Sequence, residues 1–364
     1  MKKTIVTFGE VMGRLAPAGC LRFRQALPGP LDLTFGGAEA NVAASLAQFG
    51  ASARFVTALP DHLVADACVG VFRGLGVDTS KILRTKAGRL GLYFYENGAN
   101  QRPSNVIYDR ANSAVSLTPA TAYDWPAIFA DAGWLHLTGI TPALSPIAAD
   151  AVQQAARAAQ EAGLKVSCDL NFRKKLWDWE PGTDSKKLAA RVMGGILPHA
   201  EVVIANEEDA ADVLGIHAEN SDAESGQLDV SKYPAVARRI VGQFPNVKMV
   251  AITLRESHSA SHNNWGAMLF DAASGESHFA PLRERRYQPY EIKNIVDRVG
   301  GGDSFGAGLI FALTTPELSK PQTAITFAVA ASCLCHSVAG DINYATRPEV
   351  EALMKGSGSG RVVR

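Results

Sequence analysis

The sequence predicts an α/β fold: a doubly wound, mainly parallel sheet with helices on both faces, plus a small β lid. Short β-rich runs alternate with longer Ala-rich helical patterns through most of the chain, as parallel strands joined by crossover helices require. Two segments, 14–35 and 88–116, break that alternation and are expected to form the lid. With 364 residues and 47% hydrophobic content, the chain can bury the core such a sheet needs.

A β-branched run at 4–8 opens the sheet, and the pair Gly36-Gly37 leads into an Ala-rich helix at 38–49. A strand at 53–59 and a helix at 62–75 repeat that unit. In the lid, 14–35 is rich in Pro, Gly and Leu, while strand-like 90–96 and 105–108 flank the polar turn Asn97-Gly-Ala-Asn100. The alternation then resumes, with strands at 134–138, 165–169, 202–205 and 249–254 and helices at 146–162, 185–197, 208–214 and 236–244. A last apolar helical pattern, Phe305, Leu309, Ile310 and Leu313, follows three consecutive glycines. The core is thus expected to comprise 1–13, 36–87 and 117–355, and the lid 14–35 and 88–116. The acidic, Ser-rich stretch 219–231 reads as a surface loop, and 356–364 as a flexible Gly/Ser tail.

Lys and Arg together number 36, as do Asp and Glu, so net charge gives no argument for nucleic acid or a membrane surface. Five scattered cysteines suit reduced thiols in a cytoplasmic protein, and Cys333, Cys335 and His336 lie in an apolar helical stretch that suggests core packing rather than a metal site. The N-terminus reads as a strand rather than a signal peptide, and no uncharged apolar run is long enough to span a bilayer.

The chemistry concentrates at two glycine motifs. Gly300, Gly301 and Gly302 stand where a helix begins, so their amides can converge on an anion, and Asp303 places a carboxylate beside it. An anion hole next to a base suggests group transfer; a tight turn with an N-terminal cap is the plainer alternative. Gly306 and Gly308, inside the helix, imply close packing on other backbone. At the other motif, Gly36 and Gly37 allow close approach to a ligand, and Asn41 offers donors and acceptors to a polyol. A dinucleotide-dependent oxidoreductase would need Gly-x-Gly-x-x-Gly and a P-loop kinase a Gly-Lys pair; neither occurs.

With both motifs in that order, the chain resembles the ribokinase-like (PfkB) carbohydrate kinases, and among them the 2-keto-3-deoxygluconate kinases. The finer likeness rests on Gly37-Ala-Glu-Ala-Asn41, Gly91-Leu-Tyr-Phe94, Tyr108-Asp-Arg-Ala-Asn-Ser-Ala114, Cys168-Asp-Leu-Asn-Phe-Arg173 and Asn206-Glu-Glu-Asp-Ala210. The resemblance implies a ribokinase-like fold, ATP and Mg²⁺, and transfer of phosphate to 2-keto-3-deoxygluconate, giving its 6-phosphate. It casts Asp303 as base and Gly300–Gly302 as anion hole, although Gly301 stands where Ala is usual and Arg298 where Thr or Ser is common. It assigns the sugar to Gly36, Gly37, Asn41, Tyr93, Tyr108, Arg110, Arg173, Asp303 and Asp341. The nucleotide falls to Asn171, Arg173, Asn206, Thr253, Arg255, Glu256, His258, Gly300 and Gly302, and water-bound magnesium to Asp209 or Glu208. Pairing through the lid implies a homo-oligomer. A fructokinase- or ribokinase-like enzyme for a neutral sugar, and a non-catalytic sugar-binding module, stay as alternatives.

Overall fold

The computed structural model describes residues 3–206, 208–217 and 229–356. Its main sheet runs through nine strands among these residues. Six are parallel: β1 (Thr4–Phe8), β4 (Ala53–Val56), β9 (Ala132–Thr138), β10 (Lys165–Asp169), β11 (Val202–Ala205) and β12 (Met249–Ser259), in the spatial order β4-β1-β9-β10-β11-β12. The antiparallel strands β13 (His262–Asp271), β14 (Glu276–Ala280) and β15 (Tyr290–Lys293) complete the β12 side. The sequence reading missed these three strands and the extension of β12 beyond residue 254.

Neighbouring side chains on each strand feed opposite faces of the sheet. Val6 and Phe8 enter the cluster that includes Val152 and Val192, from helices α3 (Pro146–Glu161) and α4 (Ser185–Ile196). Ile5 enters the other cluster, with Leu46 of α1 (Ala38–Gln48), Phe72 of α2 (Leu63–Gly74), Phe305 of α7 (Gly301–Thr314) and Phe327 of α8 (Pro321–Cys335). The fully buried Phe8, Phe55, Phe72, Phe305 and Phe327 each contribute about 2 to 3 kcal/mol by leaving water. Helix α5 (Asp209–Leu214) and helix α6 (Tyr233–Gln243) follow β11.

Gly308 lies against the Ala328 backbone, where a Cβ would sit 2.9 Å from the neighbouring Cα, so α7 and α8 pack as closely as the interior glycine suggested. Cys335 and His336 are buried at the end of α8. Arg283, Arg285 and Arg286 are exposed.

The second sheet, in the order β3-β2-β7-β8, comprises β2 (Met12–Ala16), β3 (Asp32–Gly36), β7 (Gly91–Glu96) and β8 (Asn105–Asp109). The short strands β5 (Ala58–Pro60) and β6 (Leu83–Thr85) pair separately. Burial alternates along β7, with Tyr93 and Tyr95 buried and Leu92 and Phe94 half-buried. Of the expected surface loop at 219–231, residues 219–228 lie outside the described residues, and Val230–Lys232 forms a helical turn. The expected tail is described only at Gly356.

Candidate active site

The parallel strands β1, β9, β10, β11 and β12 end on one side of the sheet, where a cavity of about 380 Å³ opens beneath the lid. β1 leads to Glu10, β9 to Ile140, β10 to Asp169 and Asn171, β11 to Asn206, and β12 carries Thr253 and Arg255; all line this space. Ligands in open α/β folds collect beyond the carboxyl ends of the strands, near the point where strand order reverses. Here that point lies at β1, flanked by β4 and β9.

One wall is the start of α7. Gly300 takes the left-handed conformation (φ 80°), and a Cβ there would overlap the Asp341 carbonyl, so only glycine fits. At Gly301 a Cβ would lie 2.9 Å from Cε1 of the buried His336, which gives a physical reason for glycine at that position. Asp303, in the first turn of α7, accepts a hydrogen bond from Asn41 Nδ2 at 2.7 Å. Asn41 is oriented in turn by the Gly37 amide, which donates to its Oδ1 at 3.2 Å. Burial pushes the Asp303 carboxyl up to about 6, against the lowering effect of Asn41, and the negative charge of Asp341 adds to the rise. Asp303 is therefore mostly ionised at neutral pH, but its burial outweighs the depression that a helix start alone would produce.

Two further carboxylates face the same space from the β10 and β11 ends. Asp209 accepts from the amides of Phe172 and Asn206, both at 3.1 Å. The Asn206 Oδ1 atom in turn accepts from the amides of Glu208 and Asp209, both at 2.8 Å, so the acidic turn also caps its own helix. Burial, with Asp209 and Asp303 nearby, holds the Asp169 carboxyl well above the usual carboxylate range.

The lid supplies the opposite wall. The Tyr93 hydroxyl donates to Asp341 Oδ2 at 2.5 Å. Arg110, 8% exposed, pairs with the buried Glu10, and its guanidinium carbon lies 5.3 Å from the Tyr108 ring centroid. Arg173 is exposed and donates to the Phe172 carbonyl at 3.0 Å.

Gly37, Asn41, Tyr93, Tyr108, Arg110, Asn171, Arg173, Asn206, Asp209, Thr253, Arg255, Gly300, Gly302, Asp303 and Asp341 line one cavity. Five of the expected site residues do not. Gly36 is packed behind the wall, where a Cβ would overlap the Asp341 carboxylate, and Gly301 faces His336. Glu208 is exposed, Glu256 accepts from Asn264 Nδ2 at 2.8 Å, and the His258 ring packs against His262 with centroids 4.7 Å apart and the planes tilted by 39°. Glu10, Asp169, Trp265 and Arg298 line the cavity without having been singled out as site residues. For Glu10 and Asp169 the available signal was their place at a strand's carboxyl end.

Comparison with known proteins agrees with this architecture. Residues 2–241 match the model of the pfkB family of carbohydrate kinases. The 2-dehydro-3-deoxygalactonokinase of Haloferax volcanii is 30% identical over 362 residues, covering 99% of each chain. The crystal structure of 2-dehydro-3-deoxygluconokinase from Thermotoga maritima superposes with a TM-score of 0.87 at 43% identity, covering 97% of this chain and all of that one. A fructokinase from Xylella fastidiosa, solved with bound ATP, shares the fold at a TM-score of 0.74 and 22% identity over 99% of this chain and all of that one. The family match over residues 2–241 and the near full-length likeness to these kinases place the fold, and the chain belongs to the pfkB family of carbohydrate kinases.

Proposed function

We propose that this sugar kinase transfers the γ-phosphoryl group of ATP to the 6-hydroxyl of 2-keto-3-deoxygluconate. The observation that carries the reading is that Arg110 and Arg173 share one cavity with Asp303 and the glycine turn. Guanidinium groups suit the carboxylate of an acid sugar, which a neutral sugar lacks.

In this mechanism the sugar hydroxyl lies against Asp303, held in place by Asn41. As its oxygen bonds to the γ-phosphorus, the bond to the bridging oxygen of ADP breaks and the hydroxyl proton passes to Asp303. Amides of the Gly300–Gly302 turn stabilise the charge that spreads over the phosphoryl oxygens. Asn171, Asn206, Thr253 and Arg255 receive the nucleotide. Asp169 and Asp209, whose burial raises both carboxyls while no cation is near, would offer oxygen donors to Mg²⁺ held largely through water, and a cation there would favour their ionised forms. A bound ion would supply charge neutralisation at the nucleotide phosphates. Exposure of Glu208 favours Asp209 of the two expected acids.

The neutral-sugar alternative draws support from Glu10, which already neutralises Arg110. Arg173→Gln separates the readings: KM for the acid sugar is expected to rise about tenfold or more with kcat little changed, whereas an unchanged KM would remove Arg173 from carboxylate binding.

A second copy of the chain is proposed to cover the outer face of the lid. There Leu33 (45% exposed) and Ile107 (51%) accompany the half-buried Leu92 and Phe94. Light scattering should show a dimer or larger assembly that Ile107→Glu dissociates; a monomeric parent protein would contradict it.

A further inference from the structure

Arg14 is a charged residue of the lid strand β2, only 5% exposed, that does not line the cavity. Its Nη1 donates to Asp341 Oδ1 at 2.7 Å and its Nη2 to Asp297 Oδ2 at 2.5 Å. The guanidinium carbon lies 4.3 Å from the Tyr95 ring centroid, so the lid strand β7 packs over the group that β2 supplies. Both carboxylates belong to the core, 283 and 327 residues away in sequence.

Those carboxylates hold the segment that leads into the glycine turn. Asp297 Oδ1 accepts from the Val299 amide at 3.1 Å, and Oδ2 also accepts from the Gly340 amide at 3.2 Å. The Asp341 carbonyl fills the space where a Cβ on Gly300 would stand, and its Oδ2 accepts from Tyr93. One guanidinium therefore joins two lid strands to both sides of the turn that begins α7. Two buried carboxylates without it would repel each other and any phosphate approaching the turn.

We propose that Arg14 is a positioning residue for phosphoryl transfer, coupling the closed position of the lid to the geometry of the Gly300–Gly302 turn. The inference rests on the reading of that turn as the anion hole. Arg14 touches no substrate: closing the lid inserts its charge between Asp297 and Asp341, fixes Val299 and Gly300, and aims the turn at the transferring group. Opening the lid withdraws the charge and leaves the turn unaligned.

Steady-state kinetics on Arg14→Met, Arg14→Lys and Asp303→Asn test this. Arg14→Met is expected to lower kcat about 100-fold, the scale of an ångström of misplacement, while the sugar KM changes less than about threefold. Added guanidinium ion should restore part of kcat, which a loss of packing alone would not allow. Arg14→Lys keeps one charge but cannot span both carboxylates, and kcat should fall about tenfold. Should Arg14→Met fail to fold, Arg14→Lys decides: full kcat overturns the proposal. A loss confined to the sugar KM, or a kcat that guanidinium does not raise, also overturns it. Asp303→Asn separates the two claims, since turnover surviving there removes the base reading, whereas an inactive Asp303→Asn beside a fully active Arg14→Met removes only the coupling.

Discussion

Asp303 and Glu39 are both acids of the core, raised by burial, with opposite consequences. Asp303 faces the cavity, and as the proposed base it must be ionised, so kcat/KM should fall with decreasing pH below about 6, its raised value. Asp303→Asn should lower kcat by about 10³-fold or more and leave sugar binding by calorimetry largely intact; substantial remaining turnover would contradict its role as base.

Glu39 is fully buried in α1, its Oε1 accepting from Thr138 at 2.8 Å and Thr141 at 2.9 Å, its Oε2 without a hydrogen-bond partner. Burial raises its carboxyl from 4.5 to about 7. Between those values the native state holds a proton that the unfolded chain has lost, so stability falls as pH rises through that window. The contribution is roughly 3 kcal/mol from a shift of about 2.5 pH units. Denaturant titrations at pH 5 and pH 8 should show that fall in the parent protein and a fall smaller by about this amount in Glu39→Gln; equal falls would contradict a protonated Glu39. At this scale Asp303, Asn41 and Arg110 stood out in the sequence through their motifs, and all three line the cavity. It did not expose the ionisation of Glu39, which depends on what α1 packs against.

Among the elements, the beginning of α7 is the most constrained. Gly300→Ala combines a left-handed backbone with an overlap on the Asp341 carbonyl, and should cost about 2 kcal/mol or more and most of the activity. Gly301→Ala meets only the edge of the His336 ring and should cost less, about 1 kcal/mol. Thermal melts of the two variants check the order; equal losses would contradict it. The parallel strands were legible because burial on both faces leaves short, nearly continuous apolar runs, as in Val202–Ala205. β13 and the far half of β12 were not, since His262-Asn-Asn and Arg255-Glu-Ser-His carry polar side chains into a paired hairpin. Their pairing comes from tertiary neighbours that no local window contains.

For the whole molecule, a second sheet could be anticipated because segments 14–35 and 88–116, which interrupt the strand-helix alternation, supply most of its strands beside the main sheet. What joins the two could not. Arg14 meets Asp297 and Asp341 across most of the chain length, and Glu10 meets Arg110 at a separation of 100 residues. Such pairs become adjacent only once the sheet order and the lid register are set. Their placement sets the charges at and around the cavity, on which the proposed acid-sugar specificity rests. The measurement that bears most directly on that point is ADP release from ATP and Mg²⁺ with 2-keto-3-deoxygluconate, fructose and ribose side by side. Rapid turnover with the acid sugar alone is the expected result, and a preference for fructose or ribose would contradict the acid-sugar assignment while leaving the kinase chemistry in place.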